Sequence, residues 1–304
     1  MYSFSTCWNS HRHTDGRAML EEIRELGFEY AELSHGVRIS LLPGVLDAVK
    51  AGVIKISTLH NFCPLPIGYT HASPNIYKFS SKDARERENA YRHTLKTIET
   101  AEQVGATVVI LHAGRIDMKE YTPRLIEFLG ANGSDNPKYQ KLCFEAIDSL
   151  ERKKSEAEAH AIELIQRIAD QAEIRGIKLG IENREAIEEL PPDGEFINFL
   201  GQINHPAVGY WHDTGHAQIK ENLGFINHVM HLETLAEKLL GFHIHDVEFP
   251  ARDHRPPGKG TIDFSAIKEF NKPELIKVFE FSPSVSSDDA RNGIQYLKAI
   301  WGES

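Results

Sequence analysis

The sequence predicts a single (β/α)8 TIM barrel that spans residues 1–304. Short apolar runs alternate eight times with amphipathic helical stretches, and no change of composition divides the chain. The runs are rich in Val, Ile, Leu and Phe, which is typical of parallel strands buried on both faces. An open doubly wound sheet is the alternative, but it needs a glycine-rich turn after the first strand, and residues 7–11 do not provide one. We therefore expect the closed barrel.

The predicted strands are eight apolar runs of four to six residues. Runs of this length suit a barrel in which a crossover helix follows each strand. They cover residues 3–7, 30–33, 54–59, 107–111, 178–181, 208–211, 240–244 and 276–281.

Helix start and stop signals lie between these runs. Asp15 opens the first helix, whose apolar residues recur at helical spacing, and Gly27 ends it. Ser80 together with Asp83 resembles a capping box at the start of a later helix, which Gly105 closes.

A long helical pattern covers residues 138–175, either as one helix or as two that abut, with Gly176 as its terminator. The last helix begins near residue 286, where Ser286 or Ser287 is expected to be the cap.

Two connections are unusually long and cover residues 61–79 and 113–137. Loops of this size inside a compact domain are usually functional. Because both follow strands, we expect them at the rim of the barrel where active sites are built.

Composition and charge narrow the function classes. The 304 residues suffice for one large barrel with a sizeable core, and no apolar run approaches the length of a membrane span. The net charge of −10 disfavours avid nucleic-acid binding, because such a chain repels polyanions. The three cysteines are far apart and odd in number, and the start of the chain lacks a signal-peptide pattern. We therefore expect reduced thiols in a cytoplasmic protein.

Metal-binding side chains lie at the ends of the last four predicted strands. They are 30 to 37 residues apart, about the length of a strand, a helix and a return strand: Glu182, Asp213, His243 and Glu280. Because the carboxyl ends of barrel strands converge, we expect these four side chains to meet. Oxygen and nitrogen ligands without a thiolate suit one divalent ion, which is Mn²⁺, Mg²⁺, Co²⁺ or Zn²⁺.

His243 and His245 lie on the same side of the seventh strand, so strand alternation does not decide which of them is the ligand. We favour His243, because Asp246 then follows three residues on as an orienting partner. Other histidines near strand ends are expected to contact substrate or to orient the ligands: His60, His112, His216, His245 and His254.

Three charged residues complete the candidate site. Arg255 and Lys259 lie in a Gly/Pro-rich loop after the seventh strand, where they are candidates to bind a phosphate or carboxylate of the substrate. Glu32 ends the second strand and is a weaker candidate for the same rim.

These motifs together resemble the xylose-isomerase-like TIM-barrel superfamily. It contains sugar isomerases, ketose 3-epimerases, inosose dehydratases, hydroxypyruvate isomerases and metal-dependent AP endonucleases. The resemblance extends over nearly the whole chain, and as a set the motifs are specific for the superfamily but not for one member. The segments that carry it are residues 181–183, 212–216, 243–246, 253–260 and 279–281.

The resemblance implies metal binding by the four strand-end residues and substrate contact by His216. It also implies that Glu182 and Glu280 remove and return a carbon-bound proton. We therefore expect a metal-dependent isomerase or epimerase of carbohydrate metabolism. Its substrate would be a sugar, a sugar phosphate or a related keto compound, converted through an enediolate.

Three other functions stay open. A keto-inositol dehydratase would use the same metal and enolate chemistry, and a metal-free scaffold would predict broken ligands, which the chain does not have. A multinuclear-metal hydrolase of the AP-endonuclease type would have an aspartate where Arg252 stands, and the acidic chain lacks a basic stretch for DNA. It would use four further ligands, His60, His112, His216 and His254. We expect a small carbohydrate as partner, without nucleic acid or membrane, and we also consider a homodimer.

Overall fold

Eight parallel strands close into a barrel in the computed structural model, which describes residues 1–73 and 75–302. Each barrel strand pairs with its neighbour along the chain, and the last pairs with the first, where Tyr2 lies opposite Lys277. The predicted (β/α)8 barrel is therefore confirmed. Within the described residues its strands are β1 (Tyr2–Ser5), β2 (Tyr30–Leu33), β3 (Lys55–His60), β4 (Val108–Leu111), β5 (Lys178–Glu182), β6 (Val208–Asp213), β7 (Leu239–Ile244) and β10 (Ile276–Phe279).

A short antiparallel hairpin follows β7 and has no counterpart among the predicted strands. It consists of β8 (Asp246–Glu248) and β9 (Arg252–Arg255). Asp246 organises the next loop, because its carboxylate accepts hydrogen bonds from the backbone N–H groups of Gly258 and Gly260. Our expectation that Asp246 orients His243 is therefore wrong, since both of its oxygens are used by backbone groups of its own loop.

The helices surround the barrel and connect its strands. No helix in the described ranges is long and apolar enough to cross a membrane. The helices are α1 (Gly16–Glu25), α2 (Leu42–Lys50), α3 (Ala84–Val104), α4 (Thr122–Asn132), α5 (Pro137–Ile174), α6 (Phe196–Ile203), α7 (Thr214–Asn222), α8 (His228–Leu235) and α9 (Ser287–Trp301).

Several helix signals are confirmed, but the predicted cap at Ser80 and the predicted loop at residues 113–137 are wrong. Asp15 and Ser286 cap α1 and α9 with their side chains, and α5 is one continuous helix. The cap of α3 is Asp83 alone, because the Ser80 hydroxyl is bonded to the backbone of Arg115 instead. The connection at residues 113–137 is not a loop throughout, since it contains α4.

A tryptophan fills the barrel interior beneath the rim. Trp211 is fully buried and packs with Val108, Ile110 and Val278. The ring fits because residue 241 is glycine, and a Cβ there would lie 2.5 Å from the indole. Trp211 also contacts the edge of the His243 ring, with centroids 5.3 Å apart, so it forms part of the floor under the rim residues.

Behind β6 a chain of buried hydrogen bonds connects the barrel to α7 and α8. The amide nitrogen of Gln218 donates to Glu221 and Asn222, so its oxygen accepts from Nδ1 of His228 at 3.5 Å. Nε2 of His228 must then accept from Nε2 of His212 at 2.9 Å. The remaining nitrogen of His212 accepts from the hydroxyl of Tyr210, at 2.7 Å. This directional chain requires both histidines to be neutral.

Burial enforces that neutral state. It lowers the pKa of His228 to about 3 and the pKa of His212 well below its usual value, and the charges of neighbouring histidines act in the same direction. An unfolded histidine titrates near pH 6.5, so below that pH the unfolded chain binds more protons than the folded chain. The stability that is fully present above about pH 6.5 is therefore lost as the pH falls toward 3.

We predict a pH-dependent free energy of unfolding, which urea titrations at pH 7, 6 and 5 will measure. Each buried histidine costs up to about 1.4 kcal/mol per pH unit below about 6.5. His228→Gln keeps an acceptor for His212 and removes one titrating group, so its pH slope is shallower. Tyr210→Phe is the control, because it lowers stability by about 1 kcal/mol at every pH but retains both histidines. Equal slopes in wild type and His228→Gln contradict this account.

Candidate active site

Four side chains from the ends of β5, β6, β7 and β10 meet at the rim of the barrel. They are buried, and their ligand atoms all lie within 4.8 Å of one another. Nδ1 of His243 is 2.8 Å from Glu182 Oε1, 3.3 Å from Glu280 Oε2 and 3.9 Å from Asp213 Oδ2. The structure thus brings together the four residues that the sequence proposes as metal ligands.

Glu32 fixes the orientation of His243. Nε2 of His243 lies 3.0 Å from Glu32 Oε2, and the same carboxylate accepts hydrogen bonds from the hydroxyls of Ser5 and Thr58. A carboxylate can only accept, so Nε2 of His243 carries a proton, and so does Nδ1, which lies 2.8 Å from Glu182 Oε1. A cation that displaced the proton of Nδ1 would meet a ring already oriented by Glu32, the arrangement expected of a metal-bound histidine with a carboxylate behind it.

His245 is used differently from His243. Its Nδ1 accepts a hydrogen bond from the backbone N–H of His254 at 2.9 Å, so its Nε2 carries the proton and donates to Asp213 at 3.0 Å. No lone pair of the ring is left for an ion. This geometry favours His243 as the ligand and gives His245 the part of orienting Asp213.

The charge of the cluster fits a divalent cation. Glu182, Asp213 and Glu280 face one imidazole, with Glu32 behind it, and all are buried. Burial alone would lower the pKa of His243, but the charges of Glu280, Glu32 and Glu182 outweigh it and raise that pKa well above its usual value. The surroundings therefore demand positive charge. Three carboxylates and one imidazole nitrogen form a donor set suited to Mn²⁺, Mg²⁺, Co²⁺ or Zn²⁺.

Two histidines lie on the other side of Glu182. Nε2 of His112 is 2.5 Å from Glu182 Oε2, and Nε2 of His60 is 3.5 Å from the same oxygen. Nδ1 of His60 donates to the carbonyl of Asn61, and Nε2 faces Glu182. Burial would lower the pKa of His60, but the hydrogen bond and charge of Glu182 raise it above its usual value. These three residues form a second group whose ligand atoms lie within 4.8 Å of one another.

His216 and His254 complete the rim on the side of β6 and β7. The backbone N–H of His216 donates to Asp213, which caps α7. His254 stacks on His245 with centroids 4.3 Å apart, and its Nε2 lies 3.9 Å from Glu280. Burial would lower the pKa of His254, but the hydrogen bond and charge of Asp253 and the charge of Glu280 raise it to about 10. His254 is thus a cationic donor beside Glu280.

The two candidate anion-binding residues, Arg255 and Lys259, lie in different places: Arg255 borders the cavity and Lys259 does not. The buried Nε of Arg255 lies 3.9 Å from Glu248 and has no hydrogen-bond partner within the described part of the chain. Lys259 is 54% exposed and faces Asp289 of α9 at 3.7 Å, away from the other rim residues. The structure therefore does not place Lys259 in the site, because the turn at Gly258 and Gly260, fixed by Asp246, directs this part of the loop outward.

Arg184 is a site residue that the sequence reasoning missed. Its side chain is 8% exposed, with Nη1 3.3 Å from Glu182 Oε2 and Nε 3.5 Å from Glu189 Oε1. Glu189 in turn accepts a hydrogen bond from Asn75 in the long connection after β3. The available signal was a cationic residue two positions after a strand-end glutamate.

A cavity of about 510 Å³ opens at the rim, and its lining includes His60, His112, Glu182, Arg184, His216, His254, Arg255 and Glu280. Its volume lies in the range of small-molecule sites. Four bordering residues have a buried nitrogen without a hydrogen bond within the described part of the chain, as expected of a site that receives an oxygen-rich ligand. They are His35, His112, Arg184 and Arg255.

Comparisons with known proteins agree with this architecture. Residues 20–300 match the family model described as xylose isomerase-like TIM barrel. An uncharacterized protein, y4fM of Sinorhizobium fredii, is 26% identical over 281 residues, which is 86% of this chain and 79% of that protein.

Solved structures with the same fold include two sugar epimerases and one epimerase-like protein. A D-tagatose 3-epimerase-like protein superimposes with a TM-score of 0.69 at 19% identity, over 99% of this chain and 97% of its own. D-psicose 3-epimerase gives 0.66 at 17% identity, over 99% of both chains. The 3-keto-D-glucoside 4-epimerase of E. coli gives 0.68 at 14% identity, over 98% of both chains.

We predict that His243→Ala abolishes high-affinity binding of Mn²⁺, because it removes the ring nitrogen that lies within 4 Å of all three carboxylates. His245→Ala weakens binding by about 10- to 100-fold, the usual effect of losing an orienting residue. Isothermal titration of metal-stripped protein measures both, with circular dichroism to verify folding. The reverse order of effects would assign the metal to His245.

Proposed function

The chain belongs to the xylose isomerase-like TIM barrel family, and on that premise we propose that it is a metal-dependent isomerase or epimerase of a sugar, sugar phosphate or related keto compound. The observation that carries the proposal is the convergence of Glu182, Asp213 and Glu280 on Nδ1 of His243, with all four ligand atoms within 4.8 Å of one another. The sugar epimerases among the structural neighbours support it by analogy of fold.

The four converging residues would hold one divalent cation, which is Mn²⁺, Mg²⁺, Co²⁺ or Zn²⁺ by the chemistry of the donors. A divalent cation bound there would polarise a ketose carbonyl and the neighbouring hydroxyl. The proton on the hydroxyl-bearing carbon would then be more acidic.

Glu182 and Glu280 are the residues that would move the proton. They come from β5 and β10, three strands apart around the barrel, and approach Nδ1 of His243 from different directions at 2.8 and 3.3 Å. A carbon placed between them is open to proton removal by one carboxylate and proton return by the other. Return to the opposite face of the same carbon is epimerisation, and return to the adjacent carbon is isomerisation.

The surrounding residues would bind substrate oxygens. His254 offers a cationic N–H beside Glu280, and His216 and Arg184 lie beside Glu182. These groups suit the oxygen that gains negative charge when the carbon-bound proton leaves. Arg255 borders the cavity and is a candidate to bind a more distant oxygen of the substrate.

A multinuclear-metal hydrolase is the second candidate. The group of His60, His112 and Glu182 favours it, because it adjoins the first cluster and shares Glu182 with it. The net charge of −10 and Arg252 in the seventh loop disfavour a polyanionic substrate. Elemental analysis separates the two candidates, since one metal equivalent supports the isomerase and two or three support the hydrolase.

Other expectations stay predictions. A keto-inositol dehydratase would use the same residues, and product analysis distinguishes it by the loss of water. The cytoplasmic location, the absence of a nucleic-acid partner and the homodimer also remain predictions.

We predict that ketoses such as D-fructose or D-tagatose gain deuterium beside the carbonyl when they are incubated in D₂O with the Mn²⁺-loaded protein. Glu280→Gln lowers that exchange by about 10²–10⁴ while substrate binding changes much less, because a proton-transfer group is lost. Mass spectrometry measures the label, and metal content is measured in parallel.

The matched control is Glu269→Gln, which changes an exposed glutamate far from the rim and should leave exchange unchanged. Turnover of phosphodiesters without exchange into any sugar or keto acid would reject the isomerase and favour the hydrolase.

A further inference from the structure

Three histidine rings stand side by side along one wall of the cavity. His35, after β2, meets His60 edge to face with centroids 4.8 Å apart, and His60 meets His112 in the same way at 4.8 Å. All three border the cavity, and we call them the histidine wall. His35 was not among the site residues proposed from sequence.

Both nitrogens of the middle ring, His60, face groups of the protein, whereas each outer ring has a buried nitrogen without a hydrogen-bond partner among the described residues. His60 donates to Asn61 and faces Glu182. By contrast, Nδ1 of His35 and Nδ1 of His112 are buried and have no hydrogen-bond partner among the described residues, while Nε2 of His112 faces Glu182 at 2.5 Å. A buried polar atom without a partner is costly, so unpaired nitrogens that border a cavity indicate a ligand that pairs them.

The backbone around His35 is well fixed. The N–H of Ser34 donates to Thr6, and the carbonyl of Ser34 accepts from Val37, which closes a turn around His35. The hydroxyl of Ser34 also accepts weakly from Gly36. A side chain on such a turn is held in place before the ligand arrives, which is the usual requirement for selective binding.

From this arrangement we propose that His35 and His112 form a binding subsite for the hydroxyls of the substrate chain beyond the reacting carbons. The proposal rests on the proposed function and names its substrate class: a sugar of at least five carbons that is uncharged at this end.

Hydroxyls fit the histidine wall better than an anionic group does. Arg184 is a cation that borders the same cavity, but it is already shared between Glu182 and Glu189. A phosphate or carboxylate at the wall would lie beside the carboxylate of Glu182, and like charges in a buried site repel strongly. A hydroxyl both donates and accepts, as a neutral imidazole does, so it can pair either kind of nitrogen.

The test compares a long with a short ketose. The wild type is first assayed by D₂O exchange with D-fructose, D-tagatose and D-psicose, and the best of these hexuloses is kept. Dihydroxyacetone is the short probe, measured as a competitive inhibitor. It contains the reacting carbons but lacks the hydroxyls that would reach the histidine wall.

His35→Phe keeps a ring and removes both nitrogens. We expect it to raise KM for the hexulose about tenfold with little change in kcat, because it removes one hydrogen bond made equally in ground and transition states. The inhibition constant of dihydroxyacetone and the Mn²⁺ content stay unchanged. His35→Asn places an amide near the position of Nδ1 and should restore much of the lost affinity. It also tests the site independently if His35→Phe folds poorly.

The control is His205→Phe, at the opposite end of the barrel before β6, with wild-type kinetics expected. An unchanged hexulose KM in His35→Phe, or an equal weakening of dihydroxyacetone, overturns the subsite while the proposed function stands. Wild-type protein that exchanges deuterium into no ketose rejects the proposed function and the subsite together.

Discussion

The concentration of buried negative charge at one end of the barrel is the constraint on which the rest of the structure depends. Glu182, Asp213 and Glu280 surround His243, and Glu32 lies behind it. Burying several carboxylates is tolerated only where positive charge and hydrogen-bond donors compensate them. His243 supplies at most one positive charge among the four carboxylates, and Arg184 and His254 compensate Glu182 and Glu280 from the edge of the cluster, at 3.3 and 3.9 Å. The cluster therefore has the electrostatic character of a cation site, and the neighbouring donors follow from the same requirement.

A supporting layer of hydrogen bonds holds these groups in position. The Asn183 side chain accepts from the N–H of Asp213 and donates to its carbonyl, which ties β5 to the end of β6. The Thr214 hydroxyl bonds both backbone groups of His245. Gly215 is required beside it, because a Cβ there would lie 2.0 Å from the His245 ring. Such a layer fixes ligand geometry before any ion or substrate binds.

The mistaken cap at Ser80 and the helix α4 inside the predicted loop share one physical cause. The start of α4 has no capping side chain of its own, and Glu188, more than sixty residues away, accepts from the N–H groups of Tyr121 and Thr122. Ser80 has the sequence signature of a cap but bonds Arg115 across a turn instead. Local patterns reveal caps that act locally, whereas these two partners are chosen by folding.

The sequence by itself determined the barrel, its strand order and the four side chains that converge at its rim. Strand burial, helical periodicity and the parallel direction of the strands are expressed in local residue patterns, so convergence follows from them. Only the tertiary structure distinguished the hydrogen bonding of His243 from that of His245. Glu32 binds Nε2 of His243 and leaves Nδ1 facing the other carboxylates, whereas the backbone N–H of His254 donates to Nδ1 of His245. The outward direction of Lys259 and the entry of Arg184 and His35 into the site were decided in the same way. Side-chain direction and hydrogen-bond partnership across the rim depend on three-dimensional proximity that sequence spacing does not encode.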